Sequence, residues 1–146
     1  MWEGIVTHEG GIRRVDLRQD AEDDSLAADL ARLESRLEGR RPICVMHSPP
    51  SKTRLVCIGP GVHVGSHAAR DFIRRVQPSV ALHGHIHESP HYGEGFSDYI
   101  GESLCVNPGQ SGGGQLHAVL FDPHDPGGSL VHTVYGPPAI SSPSIP

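Results

Sequence analysis

The sequence predicts an α/β fold, a mixed sheet with flanking helices. Three observations predict it: two short apolar runs of strand length at 43–46 and 79–83, a helical pattern between them at 66–77, and a further helical pattern at 22–38. Strand, helix, strand in that order is a βαβ-like unit, which pairs its strands in parallel.

Each element has its own justification. In residues 1–20, the β-type pieces 4–7 and 12–17 sit between Gly4, Gly10 and Gly11, a turn-rich hairpin. Over 22–38, Leu26, Leu30, Leu33 and Leu37 recur at i, i+4, i+7 and i+11, one apolar stripe. Glu22, Asp23 and Asp24 precede that stripe, where the helix dipole favours negative charge, so the acidic run reads as a solvated helix start. Gly39 ends the helix and Pro42 follows. The strand 43–46 runs into His47 and a Ser-Pro-Pro turn. Residues 51–65 form a Gly- and Pro-rich loop with a local apolar cluster, Leu55 to Ile58. Ser66 is a good N-cap for the second helix, Ala69, Phe72, Ile73 and Val76 form its buried face, and Pro78 stops it.

Strand 79–83 leads into Gly84-His85-Ile86-His87. A polar, Gly-rich segment spans 89–101, then a strand at 103–106 meets Asn107-Pro108-Gly109. The Gly-rich run 110–115 lacks a GxxxxGK[ST] frame and is not a phosphate cradle. Runs 116–121 and 129–135 form a final hairpin. Residues 1–136 are thus one domain, and 137–146, rich in Pro and Ser, a disordered tail.

Composition narrows the function classes. A net charge of −5 argues against a general nucleic-acid or anionic-membrane binder, since phosphate contacts need Lys/Arg surfaces. It leaves room for a small phosphorylated substrate. Cys44, Cys57 and Cys105 form no Cys-x-x-Cys, as expected of buried thiols in a reduced, cytoplasmic compartment. No run reaches transmembrane length, and the first residues carry no signal-peptide pattern.

Histidine is the outlier, with 11 copies. His85 and His87 are two apart, on one side of an extended backbone, with Gly84 allowing a turn. His47 ends the other strand of the unit. Imidazoles converging at strand ends suit divalent Mn, Fe, Zn or Ni. His47, His85 and His87 are therefore the candidate metal ligands. His83 shares their face as a pocket-lining or orienting residue. Lys52, Arg54 and His91 could touch a substrate phosphate and His63, flanking the helix start with His67, could face the pocket, but each reads first as a solvated surface residue, and Asn107 as a turn former.

These motifs, in this order, resemble the calcineurin-like metallophosphoesterase superfamily. Gly84-His85-Ile86-His87 is similar to its Gly-His-x-His motif, and His47 in Val45-Met46-His47-Ser48-Pro49-Pro50 to the ligand histidine before it. Asn107-Pro108-Gly109 resembles the turn that follows, with Gln110 where a serine is common. The resemblance covers residues 40–122. It implies a partial metallophosphoesterase-type α/β sandwich with a binuclear metal site, His47 and His85 on one ion and His87 on the other. It implies phosphoester hydrolysis by metal-activated water, with paired ions about 3.5–4 Å apart clamping attacking and leaving oxygens.

The chain departs from the family more deeply upstream. The earlier Asp-x-His, Gly-Asp-x-x-Asp and Gly-Asn-His-Asp/Glu motifs are missing, and no Asn occurs before Asn107. The resemblance is to the C-terminal half. Activity then requires the missing N-terminal half, supplied by a longer chain or a separate subunit; separately, half a sandwich exposing an apolar sheet face is expected to self-associate. The alternative is a non-catalytic metal-binding or protein-interaction domain derived from that fold.

Overall fold

The computed structural model describes residues 3–16, 25–92 and 95–138, so most of the tail and the start of the first helical pattern lie outside the described residues. Strands β1 (Glu3–His8) and β2 (Gly11–Asp16) form the N-terminal antiparallel hairpin, in register from Glu3↔Asp16 to His8↔Gly11. Helix α1 (Leu26–Glu34) starts at Ser25, whose Oγ accepts the Ala28 N–H at 3.2 Å. It ends earlier than the leucine spacing predicts. Ser35 caps it, and the chain turns through Glu38 and Gly39, both at positive φ. Of the stripe, Leu30 is buried and Leu37 packs on the core, whereas Leu26 and Leu33 are exposed.

The main sheet has strand order β3-β6-β8-β7, with β3 (Ile43–Val45), β6 (Val80–Leu82) and β8 (Ser103–Val106) parallel and β7 (Ser97–Ile100) antiparallel on the edge. This is a mixed α/β fold, as the sequence predicts. The β3-to-β6 connection carries a 3-10 turn, a hairpin and a helix. Residues 51–65, expected to be loop, hold a 3-10 turn (Arg54–Val56) and a small hairpin of β4 (Cys57–Gly59) and β5 (Val62–His63). Helix α2 (His67–Val76) follows, capped by Ser66 Oγ accepting Ala69 N–H at 3.1 Å and closed by Gln77 in the left-handed region.

Side-chain alternation splits the sheet into two faces. Ala81 and Cys105 face α1 and α2, where Leu30, Leu55, Phe72, Ile73 and Ile100 complete one core. On the opposite face, Val80, Leu104 and Val106 pack under Phe96 and Leu130. Leu130 closes the one-turn helix α4 (Pro126–Ser129), which joins β9 (Val119–Leu120) to β10 (Val131–His132). The predicted final hairpin exists, cut to two residues a side. A second single turn, α3 (Ser89–Tyr92), precedes β7.

The cover stops short of β3. In register with Val80 and Leu82, Ile43 and Val45 share their face, yet are 46% and 79% exposed. Parallel strands are ordinarily buried on both faces. β3 is also a sheet edge.

The three cysteines are free, two buried and Cys44 half-buried. Burial, with Asp98 adding to it and Arg70 opposing, pushes the Cys105 thiol up to about 12. Burial raises Cys44 too. The thiolate is the reactive form. Iodoacetamide at neutral pH is therefore expected to leave Cys105 unmodified in the native chain and to label it on unfolding. Native labelling of Cys105, read by peptide mass mapping, would contradict this packing.

Candidate metal centre

Backbone pairing places the first two candidate ligands. Beyond the formal strands the β3–β6 ladder continues: Met46 N–H donates to the Leu82 carbonyl (2.9 Å), and Gly84 N–H to the His47 carbonyl (3.0 Å). On the other side, His83 N–H donates to the Val106 carbonyl at 2.7 Å. His47 and Gly84 are thus neighbours at the strand ends, and His85 follows immediately.

The chain is not extended there. His85 sits at φ 65, and Ile86 N–H folds back onto the Gly84 carbonyl at 2.7 Å. The chain does turn beside Gly84, but Gly84 is absent from the positive-φ residues, and a Cβ on it would only touch His47 Nδ1 at 3.8 Å. The left-handed residue is the histidine. A non-glycine residue held there costs on the order of 1 kcal/mol or more and commonly marks a functional site. The tight turn also removes the premise that His85 and His87 share a side through extended geometry.

The turn brings His85 Nδ1 to 3.1 Å from His47 Nε2, with the rings edge-to-face at 4.9 Å between centroids. Two imidazole nitrogens about 2.0–2.1 Å from one tetrahedral ion lie about 3.3 Å apart, and about 2.9 Å apart at a right angle. The observed separation falls between these, so the pair fits one divalent ion of the borderline class as well as a mutual hydrogen bond. Both rings are exposed. His87 is exposed as well, and its carbonyl accepts the Gln110 N–H at 2.9 Å. Among the described residues, no group of three or more His, Cys, Asp or Glu converges as a metal site. The structure brings His47 and His85 together and does not group His87 with them.

The surrounding shell is firmly built. His83 is buried, its Nδ1 lies 3.2 Å from the Met46 carbonyl, and its Nε2 has no partner among the described residues. Burial lowers its pKa to about 4 against weaker opposing backbone hydrogen bonds, so it is neutral at pH 7 and Nδ1–H donates. It holds the β3 end against β6.

Asn107 is wholly buried. Its Nδ2 donates to the Ile86 carbonyl (2.9 Å) and the Leu55 carbonyl (3.4 Å), and its Oδ1 accepts the Gly109 N–H (3.1 Å). One side chain thereby ties the histidine turn, the 54–56 turn and the Asn-Pro-Gly turn. Gly109, at φ 67, lets that last turn press against the His87 carbonyl and Pro90.

No helix among the described residues is long and apolar enough to cross a membrane. No family model matches the chain, and no curated protein does. A solved crystal structure is similar at a TM-score of 0.52 and 22% identity, over 70% of this chain and 36% of its own. This chain thus spans little more than a third of that structure's length, and at such identity the likeness establishes an α/β fold and nothing finer.

Proposed function

We propose that this chain is the histidine-bearing part of a calcineurin-like metallophosphoesterase, with His47 and His85 as ligands of one divalent ion (Mn, Fe, Zn or Ni) and His87 available to a second. The approach of His47 and His85 from two adjacent parallel strands carries the reading. A bound ion would supply an activated water for phosphoester hydrolysis. The chain's own residues orient the imidazoles: β3 and β6 fix the backbones, His83 anchors one strand end to the other, and Asn107 holds the turn.

Two imidazoles leave at least two positions of a four-coordinate ion unfilled, and no carboxylate group converges with them among the described residues. Hydrolysis then needs ligands from elsewhere. The uncovered face and open edge of β3 support their source: a strand-bearing N-terminal half, or a second copy, seated beside His47. The substrate class is a phosphorylated small molecule. Three free thiols support a reduced, cytoplasmic setting. The lack of a third converging ligand favours a second reading, a metal-binding or interaction domain without catalysis.

The test pairs elemental analysis of Mn- or Zn-loaded protein with hydrolysis of p-nitrophenyl phosphate and bis-(p-nitrophenyl) phosphate. His47→Ala and His85→Ala are each expected to lower metal affinity by about tenfold or more, since each removes half of the donor pair. Turnover that disappears in His85→Ala supports the enzyme. Uptake without turnover supports the second reading. Equal uptake by wild type and both variants would sink the metal site.

A further inference from the structure

A cavity of about 750 Å³ lies between the 51–54 segment, the β4–β5 hairpin and the start of α2. None of His47, His85 and His87 lines it. Its volume is in the range of small-molecule sites, about 300–1,000 Å³. Its lining is uneven: the cationic Lys52 and Arg54 and the imidazoles of His63 and His67 stand against the single carboxylate of Asp98.

That carboxylate is already engaged. Asp98 Oδ2 accepts the Arg54 N–H at 2.9 Å, Oδ1 accepts the Tyr99 N–H at 2.8 Å, and Arg54 Nε stands 3.9 Å away. Lys52 is the only lysine in a chain of net charge −5, and it lies on this wall.

The wall is rigid. Arg70 Nη1 donates to the Ser51 and Lys52 carbonyls at 2.9 and 3.2 Å, clamping Lys52 at φ 57. Gly65, at φ 110, approaches so closely that a Cβ would stand 2.6 Å from Val56 Cγ1 and 3.0 Å from the Ser51 backbone. Ser51 Oγ lies 3.1 Å from His67 Nδ1. Where the hydroxyl donates to Nδ1, the ring proton sits on Nε2, which is then a donor towards the cavity's contents. Tyr92 adds an aromatic wall. A lysine whose backbone Arg70 clamps, an imidazole donor and a flat aromatic line one cavity, a set matched to a phosphate group carrying an organic moiety.

We propose that this cavity binds a small phosphate-bearing molecule, with Lys52 and His67 as its principal contacts. The site is independent of the metal reading and holds whether or not the strand-end histidines take an ion.

The experiment titrates pyrophosphate into the full chain by calorimetry, at low ionic strength and after chelator treatment, with citrate as a carboxylate control. Saturable single-site binding of pyrophosphate, tighter than citrate, is expected. Lys52→Gln should weaken it by about tenfold or more, equivalent to about 1.4 kcal/mol. Lys52→Gly should weaken it equally while relaxing the left-handed backbone, which separates lost binding from lost folding when read beside thermal midpoints. His67→Gln should weaken it, and His85→Ala should leave it unchanged. No saturable binding at millimolar pyrophosphate overturns the proposal. So do tighter citrate binding, full affinity in both Lys52 variants, or loss of affinity in His85→Ala.

Discussion

Gly109→Ala is expected to destabilise the chain by about 3 kcal/mol or more, combining a left-handed backbone penalty with overlap against fixed atoms. A Cβ at this position would stand 2.6 Å from the His87 carbonyl oxygen and 2.5 Å from Pro90 Cδ. Neither neighbour is the loose end of a flexible side chain. Relief requires the Asn-Pro-Gly turn to withdraw, which breaks the Gln110 N–H bond to the His87 carbonyl and the Gly109 N–H bond to Asn107 Oδ1. Urea unfolding gives the loss of stability, and the histidine ring resonances report the displaced turn. Gly61→Ala is the control. Its φ of 72 imposes a similar backbone penalty, but a Cβ there meets nothing within 4 Å, so it should cost only about 1–2 kcal/mol. Equal losses in the two variants would remove the close approach as the cause.

Asn107→Ala is expected to cost about 3–4 kcal/mol, because it strands two buried carbonyls and an amide, each worth about 1–3 kcal/mol when unpaired and partly recovered by water. Asn107→Asp sharpens the prediction. An ionised carboxylate would set an oxygen against the Ile86 and Leu55 carbonyls, where Nδ2 now donates. Only the protonated acid can donate there, so folding raises the acid's pKa above its unfolded value of about 3.9. The folded state then holds more protons than the unfolded state above that value, and stability must fall as pH rises through the shifted pKa. A stability of Asn107→Asp that is flat or rising from pH 4 to pH 7 would show that the amide does not donate as described.

The parts of the fold visible in the sequence are those whose periodicity is driven by burial. The strand Val80–Leu82 and the helix His67–Val76 carry apolar residues where two packed layers require them, whereas Ile43–Val45 was visible from its apolar run although Ile43 and Val45 stay exposed. β7 escaped because Ser97-Asp98-Tyr99-Ile100 reads as polar. In the fold Ser97 is buried, and the Asp98 carboxylate is consumed by backbone amides of Arg54 and Tyr99. The β4–β5 hairpin is too short for alternation to register, although Gly59-Pro60-Gly61 carried its turn signal. Helix α1 was over-extended because leucine spacing continues past the point where Ser35 and Gly39 let the backbone leave.

At the site, the meeting of the two strand ends was legible in the strand–helix–strand pattern, and the grouping of His47 with His85 was what the family resemblance implied. The fate of His87 was not legible, since it depends on one backbone angle at His85. Lys52 and Arg54 could be singled out as phosphate-contacting types, but the cavity around them was illegible for a similar reason: its residues are dispersed from Ser51 to Asp98, and the Arg70 clamp and the close approach of Gly65 to Ser51 are tertiary contacts.

β3 offers its free border to an incoming strand over a very short span. Pro42 precedes it, and Pro49 and Pro50 close it off beyond His47; none of the three has an amide hydrogen to share. A newcomer therefore meets a docking slot only a few residues long, bracketed at both ends. Such a slot admits one short matching segment and starves the long, in-register stacking from which fibrils grow.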